Sequence, residues 1–236
     1  MTLPFFFIEE YTPGQQLITM TEDESKHIIS VLRMKIGEQM HLTDGKGHLI
    51  TAEIADDHKK KCIVKILSSV ICHPSTKKVT IAISLLKNNS RLEWFLEKAT
   101  EIGVTEIIPL LCTRTERQNF RHDRMKNILV SAMLQSQQCW LPVLHEPVKF
   151  ENLILRQFDN EIKLIAHCDE GNKQSLTHLQ ISKSPNHLIA IGPAGDFTNE
   201  EIQQALNNQF IPVTLGDTRL RTETAGVVAA TLLCIQ

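Results

Sequence analysis

The chain has 236 residues, which at roughly 150 residues per domain fits one large or two modest domains. Hydrophobic residues make up 42% and charged residues 22%, proportions that exclude a disordered chain, a collagen-like chain and a coiled-coil rod. Lys+Arg 25 against Asp+Glu 27 leaves a formal net charge of -2, so global charge gives no support to a nucleic-acid partner.

The opening MTLPFFFIEEYTPG carries an apolar run, Phe5 to Ile8, far shorter than a signal peptide's core and with no basic residue before it. PFFFIEE and QLITMT read as short strands, and Thr21 with Glu24 forms a capping box for a short helix through His27, Ile28, Val31 and Leu32. EQMHLTDGKGHLITAEI is two alternating runs joined at Asp44-Gly45, a hairpin signal, and the strand KCIVKILSSVI follows. Strands with one short helix and no βαβ rhythm predict a small β-barrel module over residues 1–72.

At His73-Pro74-Ser75-Thr76 the texture changes, and residues 73–236 alternate strand and helix. VTIAISLL is a strand, Ser90 with Glu93 caps the helix RLEWFLEKATEI, and Gly103 stops it. EIIPLLC is the next strand and DRMKNILVSAMLQS the next helix. KLIAHC and HLIAIG follow as buried-type strands, Thr198 with Glu201 caps NEEIQQALNN, PVTLG is a strand, and TETAGVVAATLLCI is an apolar terminal helix. The pattern predicts an α/β domain with a parallel sheet covered on both faces. No stretch approaches the roughly 20 apolar residues needed to span a bilayer. Cys62, Cys72, Cys112, Cys139, Cys168 and Cys234 stand singly, without a Cys-x-x-Cys pair; each reads as a small buried hydrophobe. The chain is therefore expected to be soluble and cytosolic, with no membrane partner, no metal site and no disulfide framework.

Two loops near the end carry the chemical signals. Ile191-Gly192-Pro193-Ala194-Gly195-Asp196-Phe197-Thr198 joins a buried strand to a capped helix, where ligands of open α/β sheets sit. The spacing alone leaves a ligand loop and a plain turn equally open. Leu215-Gly216-Asp217-Thr218-Arg219-Leu220-Arg221-Thr222-Glu223-Thr224-Ala225 places two arginines before a helix start, with Thr222 as the expected N-cap. Ala225, Gly226, Ala229 and Ala230 then permit close packing or an interface. Neither loop is a G-x-G-x-x-G fingerprint or a P-loop, and no G-x-S-x-G elbow or H-E-x-x-H occurs. His122 and His145 read as surface or packing residues, Lys59-Lys60-Lys61 as a solvated tip, and Arg114 and Arg117 as able to reach a phosphate or to form ordinary ion pairs.

Taken together, HIISVLRM, the Asp44-Gly45 hairpin, EKATEIGV, Pro109 with Arg114, the IGPAGDF loop and LGDTRLRTETA resemble, in order and over nearly the whole length, the bacterial ribosomal RNA small-subunit methyltransferase E family. That resemblance implies S-adenosylmethionine-dependent methylation of a uridine at N3 in 16S ribosomal RNA. It implies a SPOUT α/β domain with a C-terminal trefoil knot, preceded by a PUA-like barrel that binds RNA, and a cytoplasmic homodimer. Blind topology rules argue against threading, so the knot comes from the resemblance alone. Carried over residue by residue, the donor pocket is expected to involve Gly192, Pro193, Gly195, Leu215, Gly216, Leu220, Arg221, Thr222, Glu223 and Thr224, with His167 on a third loop. Arg33, Arg91 and Arg114 are the candidate RNA contacts, and no metal is required.

The family loop usually reads IGPEGG, so Ala194 and Asp196 depart from it; Leu134 and Gln138 stand where Glu and Arg are often found. Asp tolerates unusual backbone angles, so the loop's shape can survive. Uridine N3 is a poor nucleophile until its proton leaves, which assigns Arg221 or Arg114 to stabilise the developing anion. The target base must be unpaired or flipped out, in naked RNA or an assembled particle. The alternatives are a SPOUT methyltransferase for another RNA position and a non-catalytic RNA-binding assembly factor. A nucleotide-dependent enzyme is disfavoured by the missing glycine fingerprint.

Overall fold

The structure, a computed structural model, describes residues 3–116, 118–156, 161–179 and 186–235. The chain forms two compact units. One is Met1–Pro74 together with Met133–Leu141; the other is Ser75–Ala132 with Pro142–Gln236.

The first unit holds β1 (Phe5–Phe7), β2 (Leu17–Thr19), α1 (Glu22–Lys26), β3 (Gln39–Thr43), β4 (His48–Asp56) and β5 (Ile63–Ile71) in a sheet of order β1-β3-β4-β5-β2. β1 lies parallel to β3, and the other neighbours are antiparallel. Period-two alternation turns Met40, Leu42, Ile50, Ala52, Ile54 and Val64 inward onto Phe6, Ile18 and Ile28. α1 starts where expected: Thr21 accepts a hydrogen bond from the Glu24 N–H at 3.3 Å. It then widens into a π-helical turn over His27–Val31, and the chain leaves through Arg33 with φ 58°.

The hairpin between β3 and β4 turns at Asp44–Gly47. The buried Asp44 carboxylate accepts from Lys46 N–H at 2.9 Å and pairs with His48 Nδ1 at 2.8 Å. Gly47 (φ 97°) carries the remote segment. Its N–H donates to the Cys139 carbonyl at 2.8 Å, its carbonyl accepts from Cys72 N–H at 2.8 Å, and a Cβ here would lie 2.4 Å from the Trp140 ring. Trp140 Nε1 in turn donates to the Cys72 carbonyl at 3.0 Å. Only glycine allows an indole to lie this close to the turn.

The second unit contains β6 (Lys78–Ser84), α2 (Asn89–Ile102), β7 (Glu106–Leu111), most of α3 (His122–Gln135), β8 (Val143–Leu144), β9 (Val148–Lys149), α4 (Phe150–Ile154), β10 (Glu161–Ala166), β11 (Gln174–Ser175), β12 (Asn186–Ile191), α5 (Asn199–Asn207), β13 (Ile211–Thr214) and α6 (Thr222–Ile235). The strands form a parallel sheet of order β11-β13-β10-β12-β6-β7-β8, with β9 also on β7. Both faces are covered, as the buried-type strands predict. Ala82, Leu188 and Ala190 pack with Phe150 of α4 and Ile202 of α5, while α6 packs on α2, β6 and β12.

Some boundaries differ from the sequence reading. Asn88, not Ser90, caps α2: its side chain accepts from Ser90 N–H at 3.0 Å. Thr222 is the first residue of α6 rather than its cap, because its hydroxyl donates to the buried Gly192 carbonyl at 3.0 Å. The short β8, β9, β11 and α4 are additional elements. The Thr198–Glu201 capping box is present in full, and Glu201 also accepts from Thr113 N–H at 2.8 Å, tying α5 to the turn after β7. Cys62, Cys112 and Cys139 are buried, but Cys168 is exposed, which corrects its reading as a core residue. Among the described residues no helix is long and apolar enough to cross a membrane.

Candidate functional site

In the parallel sheet β12, β10 and β13 are neighbours, so the loops that leave their carboxyl ends open on one edge. These loops, around 166–168, 191–196 and 213–221, enclose a cavity of about 940 Å³. That lies within the range of small-molecule and cofactor sites, roughly 300–1,000 Å³. Leu86, Lys87, Asn88 and Arg91, at the start of α2, and Glu116 complete the wall.

The cavity gathers nearly every residue expected to hold the donor: His167, Gly192, Pro193, Gly195, Leu215, Gly216, Leu220, Arg221, Thr222 and Glu223 all line it. Thr224 does not; one step along α6 it turns away, and Ala225 lines the wall instead. Three glycines, Gly192, Gly195 and Gly216, stand in the loops that line it. The Thr222–Gly192 bond fastens the start of α6 to the loop after β12, and the Thr214 hydroxyl donates to the Gly216 carbonyl at 2.8 Å within the loop after β13.

Asp196 stands where the loop usually has a glycine, and the sequence predicts that the loop keeps its shape. Asp196 adopts φ 71°, and its carboxylate accepts from two amides, Phe197 N–H at 2.8 Å and Cys168 N–H at 2.5 Å. It therefore ties the loop after β12 to the loop after β10. Beside it, both ring nitrogens of His167 are buried with no hydrogen-bond partner among the described residues. Burial, with Lys173 second, holds the His167 pKa below the ordinary histidine value against the opposing pull of Asp196 and Asp169. A neutral imidazole with nothing to bond is a site asking for a polar ligand group.

The candidate arginines divide. Arg221 lines the cavity, as does Arg219, and among the described residues neither has a carboxylate partner. Arg91 also lines it, with Nε 3.5 Å from the carboxylate of the buried Glu223. Arg114 lies outside the cavity wall. Its Nη1 donates to the Gly195 carbonyl, with Phe197 at 3.3 Å and Asp196 at 3.5 Å, so it braces the loop from behind. Arg33 is exposed in the first unit. Leu134 and Gln138 belong to the segment that groups with the first unit, and Arg117 lies outside the described residues. Lys87 was missed by sequence reasoning; it lines the cavity paired to Glu116 at 2.8 Å. No cluster of three or more metal-ligating side chains occurs among the described residues.

Residues 73–234 match the RNA methyltransferase domain family, and residues 20–67 match the RNA methyltransferase PUA domain family. The ribosomal RNA small subunit methyltransferase E of Mesomycoplasma hyopneumoniae is 30% identical over 96% of each chain. A probable rRNA methyltransferase from Porphyromonas gingivalis superposes with a TM-score of 0.89 at 35% identity, covering 99% of both chains. The ribosomal RNA small subunit methyltransferase E of Neisseria gonorrhoeae, solved bound to S-adenosylmethionine, superposes with a TM-score of 0.86 at 28% identity over 97% of this chain and 95% of that one.

Proposed function

The chain belongs to the ribosomal RNA small subunit methyltransferase E family, and from that premise we propose that it methylates N3 of a uridine in 16S ribosomal RNA. It is an S-adenosylmethionine-dependent RNA methyltransferase with a PUA domain. The observation that carries the reading is the cavity at the ends of β10, β12 and β13, of cofactor size and lined by the glycine-bearing loops that follow those strands. The unpartnered His167 ring nitrogens fit a donor rich in polar groups.

S-adenosylmethionine, when bound, supplies an already activated methyl group, so the residues of this chain have two tasks. The loops around Gly192, Gly195 and Gly216, with Leu215, Leu220 and Thr222, hold the donor. The acceptor's N3 must lose its proton, and the negative charge that spreads over the uracil ring needs a fixed positive neighbour. Arg221, in the wall without a carboxylate partner among the described residues, fits that role better than Arg114, whose guanidinium is engaged by loop carbonyls. Lys87, Arg91 and Arg219 add positive charge for the RNA backbone near the reacting base.

The same reading extends to architecture. The chain leaves β13 on one side of β10 and returns to pack α6 over β12 and β6, a course that supports a trefoil knot in this segment. The small-residue α6 supports a homodimer, the near-neutral charge an assembled particle as substrate, and the family a cytoplasmic location.

Calorimetric titration with S-adenosylmethionine tests the donor site, with Gly216→Val as control. Position 216 has φ 142° and open space beyond it, so a valine strains the backbone and projects from the cavity wall. Saturable binding that the variant loses is the expected result; no binding at millimolar donor refutes the site. Arg221→Ala should bind donor normally yet slow single-turnover methylation by roughly 100-fold. A near-wild-type rate at saturating RNA removes Arg221 from the mechanism.

A further inference from the structure

We propose that Asp196 is a positioning residue for the methyl donor, strapping the loop after β10 to the loop after β12 so that His167 is held in the cavity wall. The inference rests on the donor-site reading above and deepens it. Its geometry is specific. The two oxygens of one carboxylate are spent on two amides from different loops, Phe197 N–H at 2.8 Å in its own and Cys168 N–H at 2.5 Å across the gap. Charge-assisted bonds of this kind are short and among the stronger ones available. The residue sits at φ 71°, where an Asp or Asn is tolerated and most side chains are not.

The strap acts on a wall that needs it. Cys168 is exposed, so its side chain does not anchor the end of the loop after β10. The neighbouring His167 is fixed on its backbone side by Lys173 Nζ, which donates to its carbonyl at 3.1 Å, while both ring nitrogens lack a partner among the described residues. An imidazole in that state contributes to ligand binding only if its ring is already aimed, because ordering a loop during binding costs affinity. Arg114 completes the arrangement, its guanidinium donating to the carbonyls of Gly195 and Phe197. The same short turn is thus held by Asp196 to the β10 loop and by Arg114 through its carbonyls.

Two substitutions separate the strap from the fold. Asp196→Gly accepts the positive φ and removes the carboxylate. Asp196→Asn keeps one acceptor oxygen but turns an amide NH₂ toward the other N–H, so one bond must be lost. The full-length protein is assayed in two ways. In the free protein, the rate at which iodoacetamide alkylates Cys168 reads the freedom of the β10 loop without any donor. Titration calorimetry and steady-state kinetics with 16S RNA then read donor affinity and turnover. We expect Cys168 to react several-fold faster in both variants, the donor Kd and KM to rise roughly tenfold, and kcat at saturating donor to stay within about twofold. A melting temperature close to wild type accompanies that split, because a purely structural role would lower stability instead. Wild-type donor affinity and unchanged Cys168 reactivity in both variants overturn the strap while leaving the donor site standing. Failure of the unmutated protein to bind S-adenosylmethionine overturns both readings.

Discussion

Replacing Gly226 by alanine adds one methyl group where the structure has no room for it. The new Cβ would lie 2.6 Å and 2.8 Å from two ring carbons of Phe95 and 2.9 Å from Cδ1 of Ile83. Phe95 and Ile83 are both fully buried, so neither can swing into solvent. Overpacking a well-filled core costs about 1–3 kcal/mol. Against that, alanine in a helix gains about 0.5–1 kcal/mol over glycine. At the middle of both ranges the net is a loss of about 1 kcal/mol, which for a chain of this size lowers the melting temperature by about 2–4 °C. Differential scanning calorimetry is the assay, with each transition fitted separately because the two units need not melt together. The same push on α6 moves Thr222 away from Gly192, so donor affinity should fall as well. A variant that melts at or above the wild-type temperature would falsify the tight seating of α6 on α2 and β6.

Further expectations follow from the same cavity. Thr222→Val removes the hydroxyl that satisfies the buried Gly192 carbonyl and should cost about 1–3 kcal/mol, read as a lower urea midpoint together with weaker donor binding; an unchanged midpoint means that bond contributes nothing. Because burial holds the His167 pKa below its ordinary 6.5, the folded protein resists protonation there while the unfolded chain accepts it. Stability from this group is complete above pH 6.5 and declines as pH falls from 6.5 toward the lowered value. Urea midpoints compared at pH 7.5 and 5.5 should show a smaller drop in His167→Gln than in wild type, and equal drops contradict the assignment. Burial pushes Cys112 and Cys139 up to about 12, so thiol alkylation at pH 8 should modify Cys168 first and those two last, with bound S-adenosylmethionine slowing the Cys168 reaction. Equal labelling of all three by mass spectrometry removes the basis of that order.

What was readable in advance depended on how local each signal is. The Thr198–Glu201 capping box, the Gly103 stop and the Asp44-Gly45 turn are set by contacts within a few residues, and each stands where the sequence places it. The cap of α2 slipped by two residues because Asn88 and Ser90 are both competent caps, and only the path of the chain chooses between them. Two-residue strands such as β8 and β11 contain no period to detect. The loops after β12 and β13 could be singled out from glycines and arginines, but not the loop partner of Asp196. Cys168 lies 28 positions away, and its contribution is a backbone N–H that any residue type would supply. Arg114 illustrates the converse: its position beside the loops was readable, while the direction of its guanidinium was settled by carbonyls that only the folded turn presents.

The grouping of Met133–Leu141 with Met1–Pro74 bears on the order in which the protein can finish folding as it is made. The β3–β4 hairpin leaves the ribosome early, but the indole that covers Gly47 and the carbonyl that receives its N–H arrive roughly 90 residues later. At synthesis rates of about 5–20 residues per second, that is a wait of roughly 5–20 seconds with the turn uncovered. Nascent chains stalled before residue 140 should therefore display a protease-sensitive turn that becomes protected once Trp140 is exposed to solvent beyond the exit tunnel. For the same reason residues 1–74 are not a severable module, since cutting there removes part of the first unit's own structure.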